Sequence, residues 1–296
     1  MEIIPCTSEH LFALQEFLAD LRLGLPVNLT FLRSRTLGDP TCEPDLLLLA
    51  HEDGQIVGSV LGCVRGEMGV VKLFGVAPAF RRRGIGSRLF DEIEARFRAR
   101  GLKRVRIAGV GPNYFTPGVD VRATEAITFL MARGYETNRI AIVDMQVDLD
   151  VAPLEVDDAF ERLAAQGIIL RRAAPSEVEE IAAFARDAFN EAWQVEVLEA
   201  GQAEPPTLFA AFEGSRCIAF AAYDAVGPRY FGPTGTLPEY RQRGIGTALL
   251  RLCLSAMRAR GDRIAHISWA GPVAFYARAV GAYISRVYWV FQREWA

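Results

Sequence analysis

Histidine and cysteine are scarce in this chain, and no stretch of it stays apolar for long. Three histidines (His10, His51, His266) and five cysteines (Cys6, Cys42, Cys63, Cys217, Cys253) stand among 296 residues, with no C-x-x-C pair and no histidine at ligand spacing from a cysteine or acid. The pattern argues against a zinc site, and thiols that are odd in number and scattered point to reduced cysteines rather than a disulfide framework. No apolar run approaches the roughly 20 residues that span a bilayer. The start Met1-Glu2 lacks the basic-then-apolar order of a secretory signal. The expectation is a cytoplasmic protein with no membrane partner and no metal. An excess of positive charge is also missing: 33 Lys and Arg against 36 Asp and Glu leave a net charge of −3, so there is no broad hold on nucleic acid. With 51% hydrophobic and 23% charged residues the composition is that of a globular protein, and 296 residues suffice for two domains.

What is present is a repeat. Residues 76–101, VAPAFRRRGIGSRLFDEIEARFRARG, recur as residues 236–261, TLPEYRQRGIGTALLRLCLSAMRARG, at a constant offset of 160. Pro78, Arg81, Arg83, Gly84, Ile85 and Gly86 return as Pro238, Arg241, Arg243, Gly244, Ile245 and Gly246, and Gly111-Pro112 falls on Gly271-Pro272. A period this long is domain-sized, so the chain reads as a duplication rather than a solenoid.

The flanking elements repeat more loosely. Strand-like runs at 1–5 and 168–172 precede helix starts at Ser8-Glu9 and Ser176-Glu177. Two strands follow in each copy, 45–51 and 55–65 around Asp53-Gly54, then 207–213 and 216–224 around Gly214-Ser215. A strand at 69–76 or 229–236 leads into the Arg-Gly loop, an amphipathic helix follows, and then a strand at 103–108 or 263–269. A helix and a last β-branched, aromatic strand close each copy. The expected fold is α/β: two tandem domains, 1–148 and 167–296, each a mixed, mostly antiparallel sheet flanked by helices, joined by a partly helical linker at 149–166.

The loop between strand and helix carries the chemistry. A glycine-bearing turn that opens a helix presents backbone N–H groups at the helix's positive end, and adjacent arginines add charge-assisted donors. That is a cradle for phosphate. A P-loop needs Gly-Lys-Ser/Thr, which is absent, and a dinucleotide fingerprint needs a third glycine where Leu89 and Leu249 stand. The run Arg81-Arg82-Arg83 has no aromatic-interleaved basic surface beside it, which argues against nucleic acid.

On these residues the sequence resembles the GNAT family of acyl-CoA-dependent N-acyltransferases, whose signature Gln/Arg-x-x-Gly-x-Gly/Ala follows a strand ending in Val-x-Pro. Here that strand end reads Val76-Ala77-Pro78 and, in the second copy, Leu237-Pro238. The resemblance covers nearly the whole chain as two consecutive domains, an architecture like that of mycothiol synthase-like proteins. It implies acetyl-CoA as co-substrate, with the diphosphate on Arg81, Arg82, Arg83, Gly84, Ile85, Gly86 and Ser87, and again on Arg241, Gln242, Arg243, Gly244, Ile245, Gly246 and Thr247. It also implies that Phe74, Gly75 and Val76, and likewise Gly235, Thr236 and Leu237, pair with the pantetheine amides.

Acyl transfer from a thioester to an amine must deprotonate the amine, stabilise an oxyanion and protonate the leaving thiolate. A tyrosine suits the last task because its pKa lies near that of a thiol. The family's late helix often reads A-x-x-F-Y, which places Tyr276 of Val273-Ala274-Phe275-Tyr276 in that role, whereas Leu130 stands there in the first copy. The resemblance thus points to an N-acetyltransferase with its chemistry in the second copy, acting on a small-molecule primary amine. The alternative is an acyl-CoA-binding regulatory or structural tandem without turnover. Six steps separate Phe275 from Gly281 against five from Phe129 to Gly134, a shift in helix register. Neither Val70–Val76 nor Arg229–Thr236 contains the Glu that many members use as base. His266 is either a proton relay or a packed structural histidine; Asp224, Glu191 and water are alternatives. Trp269 is a candidate for lining the acceptor pocket. The insertion Asn113–Asp120 either shapes a pocket or covers a domain interface.

Overall fold

The computed structural model describes residues 1–21, 23–24 and 27–295. The chain runs through β1 (Glu2–Pro5), α1 (Leu11–Asp20), α2 (Leu29–Arg35), β2 (Leu47–Glu52), β3 (Gln55–Arg65), β4 (Met68–Val76), α3 (Ile85–Ala99), β5 (Arg104–Ile107), β6 (Val119–Asp120) and α4 (Thr124–Ala132). It continues with β7 (Ile142–Asp148), α5 (Asp157–Ala164), β8 (Ile168–Arg172), α6 (Val178–Ala188), α7 (Glu191–Gly201), β9 (Leu208–Glu213), β10 (Arg216–Tyr223) and β11 (Tyr230–Thr236). Last come α8 (Ile245–Ala259), β12 (Ile264–Ile267), α9 (Val273–Val280), β13 (Tyr283–Trp289) and β14 (Phe291–Glu294).

Two units of packing result. The N-terminal unit is Met1–Ile142 together with Val287–Ala296, and the C-terminal unit is Val143–Arg286. In the N-terminal unit the strand order is β1-β2-β3-β4-β5-β14, with only β4 and β5 parallel. One face is covered by α3, whose Ile85, Leu89, Phe90, Ile93 and Phe97 recur at helical spacing and all sit in one apolar cluster with Leu48, Val60 and Val71. Leu14, Phe17, Phe31 and Leu32 of α1 and α2 cover the other face, against Leu47, Leu49, Leu61 and Leu73. The insertion after β5 belongs to this second layer. Phe115 is buried edge-on to Phe31 at 5.9 Å, and the Arg35 guanidinium donates to the Tyr114 carbonyl at 2.9 Å.

The C-terminal unit repeats the plan, in the order β13-β7-β12-β11-β10-β9-β8, with β11 and β12 parallel and β7 antiparallel to β12. Ile181, Ala182 and Ala185 of α6 and Val197 of α7 pack with Leu208, Ala210, Phe220 and Ala222. Leu249, Leu250, Cys253, Leu254 and Met257 give α8 its buried stripe. Both sheets are mixed and mostly antiparallel with helices on each face. Among the described residues no helix is long and apolar enough to cross a membrane.

The boundaries expected at 148 and 167 follow the repeat; the packing follows strand pairing. β7, which ends the first copy, pairs antiparallel with β12 (Ile264↔Asp148 to Ile267↔Met145). β14, which ends the second, pairs with β5 (Phe291↔Ile107 to Glu294↔Arg104). The segment expected as linker is likewise bound into the C-terminal unit. Leu154 and Leu163 are buried, and Arg251 on α8 donates to the Glu155 carbonyl at 3.0 Å.

Candidate active site

In both units the parallel pairing is short, and the strands part. β4 and β5 pair only from Met68↔Arg104 to Val71↔Ile107, and β11 and β12 only at Tyr230↔His266 and Phe231↔Ile267. Beyond those points β4 runs on to Val76 and β11 to Thr236, and among the described residues the strands paired with them there are β3 and β10. Ala77 N–H donates to Val57 and Leu237 N–H to Ile218 on those neighbours. By the alternation of a ladder, the amide and carbonyl of Val76 and of Thr236 therefore face the gap. The Arg81 Nε takes the Val76 carbonyl at 3.1 Å, and the Arg241 Nε takes that of Thr236 at 3.2 Å. An open strand edge of this kind can pair with an extended, amide-bearing chain. The side chains along that edge pack within the protein. Phe74 packs edge-on against Phe90 at 5.0 Å, while Gly75 and Gly235 leave room for Leu21 and for the Phe189 ring, which a Cβ at 235 would meet at 2.5 Å.

At the end of each gap the chain makes the same turn. Arg81 is extended, Arg82 and Gly84 are left-handed (φ 63° and 79°), and α3 begins. Arg241, Gln242 (φ 64°) and Gly244 (φ 85°) repeat this before α8. A left-handed arginine or glutamine costs about 1–3 kcal/mol, which the surrounding structure must offset. The first intrahelical bonds are Arg88 N–H to Gly84 and Ala248 N–H to Gly244, both 3.1 Å. The amides of Ile85, Gly86 and Ser87, and of Ile245, Gly246 and Thr247, thus lie ahead of the hydrogen-bonded ladder, as an anion cradle requires. A Cβ at Gly86 or Gly246 would find only ordinary contacts, with Phe129 at 3.6 Å and Phe275 at 3.8 Å. Packing therefore does not demand glycine at either position; bare backbone there suits a ligand lying against it.

Tyr276 sits on α9, 6% exposed, its ring edge-on to Phe231 at 6.1 Å and Phe275 at 5.0 Å. Burial pushes its hydroxyl up to about 12. In the first copy Leu130 is fully buried in the apolar cluster. His266, on β12, stacks on Tyr230 at 5.1 Å. Burial first, then Arg229 and Arg286, hold its pKa below the ordinary 6.5, so the imidazole is neutral at neutral pH. Tyr230 and Phe231 are consecutive on β11 and point to opposite faces, so His266 and Tyr276 flank the start of the gap from opposite sides of the sheet. They are not joined in a relay.

Of the other candidates, Asp224 pairs with Arg260 and accepts from the Arg229 amide at 2.7 Å, a structural role. Glu191 is exposed in the first turn of α7. Trp269 is 38% exposed just past β12, and its backbone N–H donates to Asp144 Oδ1 at 2.9 Å. Asp144 was not foreseen. It is 4% exposed on β7 and shares a face with Gln146, which stands opposite His266. It could be found only by knowing which sheet β7 joins.

The two gaps differ at their bulges. The β3–β4 register slips between Leu61↔Leu73 and Gly62↔Val71, making Lys72 the extra residue of a bulge. The slip between Ala221↔Thr234 and Tyr223↔Phe231 makes the same bulge at Gly232 and Pro233. Lys72 is 2% exposed and donates to the Arg35 carbonyl and to Asp39 Oδ2, each at 2.6 Å; Arg65 also binds Asp39, at 2.7 Å. At Gly232 a Cβ would meet nothing within 4 Å.

Splayed parallel strands, a central bulge and a glycine-opened helix are thus present twice, one set in each unit. The acetyltransferase (GNAT) family model matches residues 17–117 and 176–283, and the chain belongs to that family. An acetyltransferase of Pectobacterium atrosepticum is 42% identical over 65 residues, which are 22% of this chain and 46% of that protein. One of Sodalis glossinidius is 37% identical over 71 residues, 24% of this chain and 50% of that one. The chain thus spans about half the length of the curated relatives it matches. Two solved structures share the fold along 99% of this chain. A GCN5-related N-acetyltransferase from Sphaerobacter thermophilus has TM-score 0.71 with 20% identity over 95% of its length. A tandem GNAT protein from the clavulanic acid biosynthesis pathway has TM-score 0.70 with 17% identity over 98% of its length.

Proposed function

We propose that this chain is an N-acyltransferase that moves an acetyl group from acetyl-CoA to a primary amine of a small molecule, with its chemistry in the C-terminal unit. The observation that carries the choice of unit is the bulge: open at Gly232, filled by a buried, ion-paired Lys72 at the matching place in the N-terminal unit. The loop amides from Gln242 to Thr247 hold the diphosphate, and the open edge of Gly235–Leu237 aligns the pantetheine so that its sulfur reaches the start of the gap. The amine attacks the thioester carbonyl, the C–S bond breaks, and Tyr276 gives its proton to the departing thiolate. A hydroxyl held at about 12 stays protonated at neutral pH and is therefore an acid, not a base. The amine's proton passes to the neutral imidazole of His266, directly or through water. Lys72 and the buried Leu130 favour binding of acyl-CoA without turnover in the N-terminal unit.

Thiol release over a panel of amines (amino sugars, polyamines, aminoglycosides, amino acids) tests the activity. The pH profile tests His266. Its imidazolium is disfavoured by burial, so kcat/KM holds down through pH 6.5 and falls only below it, as the imidazole gains a proton. His266→Gln removes that acid limb. An unchanged profile in the variant assigns the base elsewhere.

A further inference from the structure

The two cradles share a backbone but not a charge. In the N-terminal unit Arg81 is paired with Glu125 at 2.5 Å and Arg83 with Glu52 at 2.6 Å. Two of the three arginines there already hold carboxylates, which an arriving phosphate must displace or outbid. In the C-terminal unit the Arg241 Nε takes the Thr236 carbonyl, and the Arg243 Nη2 takes the Glu239 carbonyl at 3.2 Å. Among the described residues no carboxylate is ion-paired with either.

A third guanidinium stands over the same loop. The Nη2 of Arg162 lies 2.7 Å, and its Cζ 3.8 Å, from where a Cβ on Gly244 would be. Gly84, its counterpart, has nothing within 4 Å of that point. Gly244 therefore meets two needs: its φ of 85° and the space that Arg162 occupies. Arg162 belongs to α5, which is fixed beside α8 by buried Leu163, by the Arg251 bond to the Glu155 carbonyl and by the Ser255 hydroxyl on the Leu154 carbonyl at 3.3 Å. The side chain is exposed, and no carboxylate among the described residues is ion-paired with it.

We propose that Arg162, carried by the helix between the two copies, is a phosphate ligand for acyl-CoA in the C-terminal cradle, and that it makes this cradle the tighter of the two. The proposal rests on the acyl-CoA reading of these loops. Its chemistry is a guanidinium on phosphate oxygens, either the diphosphate or the ribose 3′-phosphate. A charge-assisted hydrogen bond on this scale corresponds to about a tenfold change in Kd.

The test is calorimetric titration of the full chain with acetyl-CoA, CoA and 3′-dephospho-CoA, for wild type, Arg162→Ala and Arg162→Lys. The expected result is a tighter and a weaker site in the wild type. Arg162→Ala weakens only the tighter one, about tenfold, flattens its salt dependence and raises KM for acetyl-CoA, while Arg162→Lys recovers part of the loss. A loss that persists with 3′-dephospho-CoA places Arg162 on the diphosphate; a loss that vanishes places it on the 3′-phosphate, and both support the proposal. An unchanged Kd and salt slope in Arg162→Ala, with acetyl-CoA still bound, overturns the role of Arg162 and leaves the acyl-CoA reading standing. No binding by the wild type overturns both.

Discussion

Replacing Tyr276 by Phe is expected to lower kcat about 100-fold while leaving KM for acetyl-CoA near its wild-type value. The substitution removes one hydroxyl and keeps the ring that packs on Phe231 and Phe275, so the fold and the cradle survive. What is lost is the proton for the thiolate. The deficit should be largest with CoA thioesters and should shrink with acyl donors whose leaving thiol is more acidic, since these need less help to depart. Steady-state thiol release with both kinds of donor measures it. A rate within twofold of wild type would remove Tyr276 from the mechanism and shift attention to water. Leu130→Tyr in the N-terminal unit should not create activity there, because Lys72 still fills the bulge.

The second large effect is on stability. Asp39→Ala leaves the Lys72 ammonium buried with the Arg35 carbonyl and the Cys42 thiol as hydrogen-bond partners, and takes the carboxylate from Arg65 as well. Removing one partner of a buried ion pair typically costs about 3–5 kcal/mol, and here both side chains are almost wholly excluded from water, at 2% and 0% exposure. Replacing Lys72 as well (Asp39→Leu with Lys72→Met) should recover part of that loss, since the buried ammonium disappears with its partner while Arg65 still lacks its carboxylate. The pH dependence has a definite sign. Burial pushes the Asp39 carboxyl up, but Lys72 and the hydrogen bonds from Thr41 outweigh it and hold the carboxyl below its ordinary 3.8. Its contribution is therefore complete above that value and is lost as pH falls through the lower, folded one. Urea unfolding at pH 7 and at pH 3 reads both effects, and an Asp39→Ala loss under 1 kcal/mol would show that the pair contributes little.

The turns that open α3 and α8 were legible in the sequence because everything that makes them is local. Arg81 to Ser87 and Arg241 to Thr247 need only a preceding strand, two left-handed residues and a following helix. The bulge was not legible, because the extra residue at Lys72 or Gly232 is decided by register against the neighbouring strand, and nothing in VVKLFGV or YFGPTGT announces a slip. The sequence offered Lys72 only as one residue of a strand without an acid. In the structure it stands in the bulge where the second copy has Gly232. Asp144 escaped for a related reason: β7 alternates apolar Val143, Met145 and Val147 with polar residues, and alternation does not say which sheet a strand will complete. The helical linker was expected, but the reach of Arg162 on it depends on how α5 docks beside α8.

The crossed closing strands have a consequence for how such a chain can be divided. A gene cut at residue 149 would give a first product that keeps β7 without β12 to receive it and lacks β14 for β5. The second product would have the reverse deficit. Each would carry a row of unbonded amides and carbonyls along a bared strand, the feature that draws chains into one another. Mixed, the two fragments hold complementary strands and should reassemble, so the duplication behaves less as two modules than as a clasp whose halves are usable only together.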